Sequence, residues 1–142
     1  MSHIDQANHN EQCARFLIDD APEYRDWAIT AAFYAAVHLA EASFFTHSDI
    51  GHSATAKDRG GAEIHRYREG KIRELANSAY PSYRKLREAS QHARYLARSR
   101  GSSTTHQSMM DYYGESVVRN FIEKDLPKVR DELEKAFGVN LD

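Results

Sequence analysis

Histidine has the most versatile side-chain chemistry of the residue types in this chain, and metal binding is the first role to weigh. The 142-residue sequence contains eight histidines and a single cysteine. His47 and His52 lie near Asp49 and Asp58 in the polar stretch 46–61. That spacing matches no known ligand pattern, and no cysteine supports it. We therefore predict a solvated loop there, with no metal and no cofactor.

Four polar side chains form a thin strip along the apolar segment 26–45. At about 100° per residue, Thr30, Tyr34, His38 and Glu41 fall within one quarter of a helical wheel. Buried polar groups need hydrogen-bond partners. We therefore interpret the strip as structural. His38 is expected to bond with Tyr34 or Glu41, and Thr30 to join the same network.

The rest of segment 26–45 is almost entirely apolar and includes seven alanines. A helix that is apolar almost all round has to be covered on nearly all sides. We predict that it is the central helix of a bundle or is shared with a second subunit, with Trp27 as a core or dimer anchor. Its apolar part is shorter than the roughly 20 residues of a membrane crossing, so no membrane span is predicted.

The other helices are predicted from apolar spacing and from helix start and stop signals. Pro127 should kink or split the last helix, and Gly138 should end it. The sequence has no internal repeats and no alternating strand pattern. The predicted fold is therefore all-α, an up-and-down bundle of four to five helices in a single domain. Besides the central helix, the predicted helices span residues 4–20, 62–77, about 82–98 and about 109–137.

Charge and composition limit the location and partners of the protein. Nineteen basic and 21 acidic residues give a net charge of −2, which does not by itself indicate nucleic-acid binding. The polar start has no apolar signal core, so we expect a cytoplasmic protein. Cys13 is interpreted as a small packed hydrophobic residue. The basic outer face of the helix 62–77 is interpreted as solvated, with phosphate binding as the alternative; it comprises His65, Arg66, Arg68, Lys71 and Arg73.

Two segments together resemble the HEPN proteins. DWAITAAFYAAVHLAEA begins at Asp26, and YRKLREASQHARY begins at Tyr83. The first is similar to the long first core helix of that family, and the second to a later helix. The likeness covers roughly residues 24–98. It is carried by Thr30, Phe33, Tyr34, His38, Ala40 and Ala42, then by Tyr83, Leu86, Ser90, Ala93, Arg94 and Tyr95.

The resemblance implies a helical bundle that dimerises and a role around RNA or nucleotides. Many HEPN proteins are metal-independent ribonucleases, often in toxin–antitoxin or antiviral systems. Others are non-catalytic partners of nucleotidyltransferases, or binding modules. The expected partners are therefore a second copy of the chain, RNA, and a nucleotidyltransferase or antitoxin protein. The remaining alternative is a plain helical assembly protein.

The catalytic members use an arginine followed after four to six residues by a histidine, and Arg87 and His92 fit that spacing. An imidazole can take the proton of a ribose 2′-hydroxyl, and a guanidinium can hold the phosphate. Residues five apart lie about 140° apart on a helix, so the pair would have to meet across a dimer axis. Otherwise His92 is a surface histidine. Arg94, Tyr95 and Arg59 are assigned to RNA or nucleotide binding.

Overall fold

A computed structural model describes residues 1–47, 61–95 and 113–142, and those ranges contain no β-strand. Short 3₁₀ turns at Pro22–Tyr24 and Asn77–Ala79 lead into the second and fourth helices. The predicted all-α helical bundle is confirmed. In chain order the described helices are α1 (His3–Asp20), α2 (Arg25–Phe45), α3 (Gly61–Leu75), α4 (Tyr80–Tyr95), α5 (Glu115–Asn120) and α6 (Leu126–Phe137).

Helix α2 is the centre of the bundle and packs against α1, α4 and α6. Thirteen of its 21 residues are buried. The stretch Pro22–Phe45 is long and apolar enough to cross a membrane. Our expectation that its length excludes a membrane span is therefore wrong. However, 72% of its apolar window is buried within the protein, as in the core helix of a soluble bundle.

Helix α1 packs along α2 and starts with a capping box, in which Ser2 and Asp5 bond each other's backbone N–H groups. Its buried residues are Ala7, Ala14 and Ile18. Cys13 is exposed, so the prediction that it is packed is wrong. The reason is helical geometry, because the residue before Ala14 points about 100° away from it.

The last helical segment is divided as its proline predicts. A π-helical turn, Phe121–Asp125, joins α5 to α6, and Pro127 is in the first turn of α6. Proline has no N–H to donate, so the regular bonding pattern has to change near it. Gly138 ends α6 with φ 64°, and its N–H bonds to the Glu134 carbonyl. The predicted split and stop are both confirmed.

Candidate functional site

The polar strip of α2 does not form the single network that we expected. Thr30 donates its hydroxyl to the carbonyl of Asp26 in the same helix, at 3.1 Å. The Tyr34 hydroxyl accepts from Arg94 Nη1 of α4 at 3.3 Å, and the Arg94 guanidinium lies over the Tyr34 ring. The expected network of Thr30, Tyr34 and His38 is therefore wrong, since the side chain of Tyr34 reaches a different helix.

The other two members of the strip also bond to other helices. His38 Nδ1 lies 2.9 Å from His3 Nδ1 at the start of α1. Glu41 accepts from Arg68 Nε of α3 at 2.9 Å, and these two side chains are 3% and 7% exposed. The strip thus connects α2 to three neighbouring helices.

The sequence placed Arg68 either beside the inward positions of this helix or on its basic outer face, and the structure places it inward. Its side chain is buried with Glu41. Position 68 precedes the buried Ile72 by one helical turn, so both side chains lie on the inward face of α3. The ion pair explains how the core accepts a guanidinium, because a buried charge needs an opposite charge and hydrogen bonds.

Helix α4 presents a polar face to α2 and α3. Tyr83, Arg87, Ser90 and Arg94 are spaced by four, three and four residues, which places them along one side of the helix. The ring of Tyr83 lies 5.8 Å from that of Phe33 in α2. Below, these four residues are called the polar face of α4.

Two atoms on the polar face, Arg87 Nε and Ser90 Oγ, are buried and have no hydrogen-bond partner among the described residues. The Tyr83 hydroxyl is also buried, and burial raises its pKa to about 12, although the charge of Arg68 and hydrogen bonding to it act in the opposite direction. Most buried polar atoms in proteins have a partner, so two unpartnered donors on one helix face need an explanation.

Arg87 is paired with a carboxylate of α3. Its Nη1 donates to Glu69 Oε2 in a short ion pair. The Glu69 side chain is 8% exposed, whereas that of Arg87 is 25% exposed. One side of the Arg87 guanidinium is therefore neutralised, while its Nε points into the interior without a partner among the described residues.

His65 of α3 is half-buried beside the polar face. Its Nδ1 lies 3.1 Å from Arg68 Nη1. A guanidinium only donates, so Nδ1 accepts and the neutral ring carries its proton on Nε2. Burial lowers the pKa of His65, and the positive charges of Arg68, Arg94 and Arg87 lower it further. His65 is therefore neutral at pH 7 and acts as a hydrogen-bond donor through Nε2.

His92 faces a different part of the molecule. It is exposed, and its Nδ1 lies 3.0 Å from the hydroxyl of Tyr113, whose ring packs edge-on against Phe121. Arg87 contacts α3 instead. Within one chain the two residues of the predicted catalytic pair therefore lie on different sides of α4, as their spacing indicates.

The structure places the predicted binding residues unevenly. Arg94 is half-buried on the polar face, and Tyr95 is the last residue of α4. Arg59 lies outside the described residues, as does the rest of 48–60, the part of the predicted loop that contains His52. Within the described ranges, no three His, Cys, Asp or Glu side chains are grouped to hold a metal ion.

Sequence reasoning placed His65 on the basic outer face of α3, with phosphate binding as the alternative to a solvated face, and did not connect it with α4. The signal was present in the spacing, because His65 and Arg68 are three residues apart and therefore share a side of α3. The side of α3 that faces inward is set by the ion pair of Arg68 with Glu41 of α2, which is distant in the sequence. The polar face of α4 was also visible as one tyrosine, one serine and two arginines at helical spacing.

Comparison of the chain with protein family models, curated proteins and solved structures gives no match. Its function has to be inferred from its own residues and their contacts.

Proposed function

We propose that this protein is a HEPN-like helical homodimer that acts on RNA, as a metal-independent ribonuclease of a cytoplasmic toxin–antitoxin or phage-defence system. One observation carries the proposal. Helix α4 holds an exposed imidazole, His92, against a tyrosine hydroxyl, and displays two arginines, Arg87 and Arg94, on another side. An oriented imidazole and a guanidinium are sufficient for cleavage of RNA through its own 2′-hydroxyl.

The reaction assigns one role to each side chain. In the proposed mechanism, His92 Nδ1 donates its proton to the Tyr113 hydroxyl oxygen, 3.0 Å away, and Nε2 acts as the proton acceptor. His92 takes the 2′-hydroxyl proton while the 2′-oxygen attacks phosphorus. It then gives that proton to the departing 5′-oxygen. Arg87 offsets the negative charge that develops on the phosphate. The products are a 2′,3′-cyclic phosphate and a 5′-hydroxyl.

Because Arg87 and His92 diverge within one chain, the proposed site takes one residue from each protomer. Subunit mixing tests this directly. Arg87→Ala and His92→Ala homodimers should each fail to cleave single-stranded RNA in EDTA. Co-expressed together, they should recover about a quarter of wild-type activity, because half of the dimers have one intact site out of two.

Arg84→Ala is the matched control, since Arg84 is an exposed arginine of the same helix that bonds to Glu88. It should leave cleavage unchanged. Cleavage that survives His92→Ala would remove His92 from the mechanism. Loss of activity in both single variants without recovery on mixing would rule out a site shared across the dimer.

A second candidate is a non-catalytic interaction module that docks a nucleotidyltransferase or an antitoxin protein. It is favoured by large exposed apolar side chains, since Trp27 and Phe16 are each 61% exposed. Tryptophan is a frequent anchor at protein interfaces. No RNA binding at low salt, where phosphate contacts are strongest, would favour this candidate.

A further inference from the structure

We infer that one chain alone forms a phosphate-binding site where α2, α3 and α4 meet, with His65, Arg87 and Ser90 as the donors. The site shares Arg87 with the proposed pair of Arg87 and His92 across a dimer, but it uses His65 and Ser90 of the same chain in place of His92. It relies on the proposed function only in naming RNA or a nucleotide as the source of the phosphate. The carrying observation is that two buried donors of α4, Arg87 Nε and Ser90 Oγ, have no acceptor among the described residues, and that the charge of Arg87 acts on the nearby His65 of α3.

The unpartnered donors come from the polar face of α4. Arg87 Nε and Ser90 Oγ are both buried and three residues apart on that face. A buried donor without an acceptor costs about 1–3 kcal/mol. A phosphate oxygen is a strong acceptor, and its bonds to a guanidinium are charge-assisted. An anion at this place would therefore remove an unfavourable feature of the fold.

His65 adds a donor from α3. Its Nδ1 is occupied by Arg68, and Nε2, which carries the proton, bonds to none of the described residues. A neutral donor suits this position, because an imidazolium would add a fourth positive charge beside Arg68, Arg87 and Arg94. The neutral N–H can bond a phosphate oxygen without that repulsion.

Two features hold the donors in place. The buried pair of Glu41 and Arg68 fixes α3 against α2, and Arg68 in turn fixes the tautomer of His65. Phe33 of α2 contacts both α3 and α4: the centroid of its ring is 6.1 Å from that of His65 and 5.8 Å from that of Tyr83. A binding site needs this kind of support, because its donors have to be oriented before the ligand arrives.

Glu69 is the competitor for the same guanidinium. It holds the Nη1 end of Arg87, and the Arg87 side chain is a quarter exposed. Entry of a phosphate requires Arg87 to rotate toward the ligand and to exchange the carboxylate for a phosphate oxygen. The ion pair therefore keeps the site closed when no anion is bound.

The binding test uses three probes: inorganic phosphate, adenosine monophosphate and a 2′-O-methyl single-stranded RNA, which has no 2′-hydroxyl and cannot be cleaved. Histidine rings labelled with ¹³C report binding by NMR, and His65→Gln identifies the signal of His65. We expect the His65 signal to shift and saturate with at least one probe. Saturation by the oligonucleotide alone indicates an internal phosphodiester, and saturation by the mononucleotide or free phosphate indicates a terminal phosphate.

Ser90→Ala is the cleanest variant because it removes one oxygen from a fully buried side chain. It should weaken binding of the saturating probe about tenfold, the effect of one hydrogen bond to a charged group. His65→Phe should weaken binding by a similar factor. Arg84→Ala, outside the polar face, should leave binding unchanged.

Glu69→Gln tests the competition and should strengthen binding, because it removes the carboxylate that holds Arg87. Glu74→Gln is the matched control, since Glu74 is an exposed residue of the same helix that pairs with Lys71. If Glu69→Gln binds the probe more strongly and Glu74→Gln does not, the assignment of Arg87 as a phosphate donor is supported.

The inference is overturned if no probe moves the His65 signal, or if Ser90→Ala and His65→Phe both bind as the wild type does. These results do not depend on cleavage. Phosphate binding without ribonuclease activity would support the phosphate site and contradict the proposed ribonuclease. Cleavage that needs His92 but neither Ser90 nor His65 would support the ribonuclease and contradict the phosphate site.

Discussion

The contacts of α2 with its neighbours are of two kinds. The contact with α1 is mostly apolar, since the buried residues of α1 are Ala7, Ala14 and Ile18, and its polar part is the pair of His38 with His3. The contacts with α3 and α4 bury the ion pair of Glu41 with Arg68 and several polar atoms. The same helix thus has a mostly apolar interface and a polar one.

Under the proposed phosphate site, the α1 side of the molecule mainly stabilises the fold and the α3 and α4 side binds the ligand. Burial of apolar surface is the main favourable term in folding, and the α1 side provides it without a buried ion pair. Ions and unpartnered donors on the other side oppose folding. Functional sites commonly retain such unfavourable groups because ligand binding needs them. The following four substitutions or conditions test this contrast.

The largest effect is expected on the polar side from Arg68→Met. It removes the Arg68 guanidinium from the buried Glu41 carboxylate and should lower the free energy of unfolding by about 3–5 kcal/mol. Adding Glu41→Leu should recover most of the loss, because an apolar pair of similar size replaces the ions. Urea denaturation of both variants measures this. A double variant as unstable as the single one would show that the pair is needed for packing itself.

On the apolar side, Ile18→Ala should lower the free energy of unfolding by about 3 kcal/mol. The loss combines the transfer free energy of the removed methyl and methylene groups with the cost of the cavity that they leave. The loss from Arg68→Met should be restored by one substitution at its partner. The loss from Ile18→Ala should not, because the contacts of Ile18 are spread over many apolar neighbours. The same urea measurement applies. Phosphate binding should be unaffected, which separates this side from the proposed site.

Two buried serines give the most closely matched comparison. Ser43 Oγ bonds the Leu39 carbonyl at 2.9 Å, whereas Ser90 Oγ has no partner among the described residues. Ser43→Ala should therefore lower the free energy of unfolding by about 1 kcal/mol, while Ser90→Ala should leave it unchanged or raise it slightly. Thermal denaturation of both variants distinguishes them. A Ser90→Ala loss as large as that of Ser43→Ala would show that Ser90 has a structural bond.

The smallest effect is a pH dependence from His65. Its pKa is lower in the folded chain than in the unfolded chain, where it is near 6.5. The unfolded state therefore binds this proton first, and stability should fall as the pH is lowered from about 6.5. Above that pH the contribution is constant. His65→Gln should flatten this part of the profile, and an unchanged slope would contradict a lowered pKa.

The apolar side of the fold was predictable from the sequence, and the polar side was not. The spacing of alanine and other apolar residues identified α2 as the central helix, and Pro127 and Gly138 marked the split and the end of α6. These signals are local, because each depends on residues within one helix.

The polar side depends on contacts between distant residues. Arg68 and Glu41 are 27 positions apart, and a sequence pattern on either helix alone shows only a charged residue. The position of His65 beside the buried Arg68 was not predicted for the same reason. The divergence of Arg87 and His92 was predictable because it requires only helix geometry.

Trp27 gives the molecule a built-in optical probe. It is the only tryptophan in the sequence, and it is 61% exposed in the folded chain. Its emission should already lie near that of indole in water, so unfolding should shift the spectrum little. Docking of a second copy or another protein over this residue would instead move the emission to the blue, which makes association visible without a label.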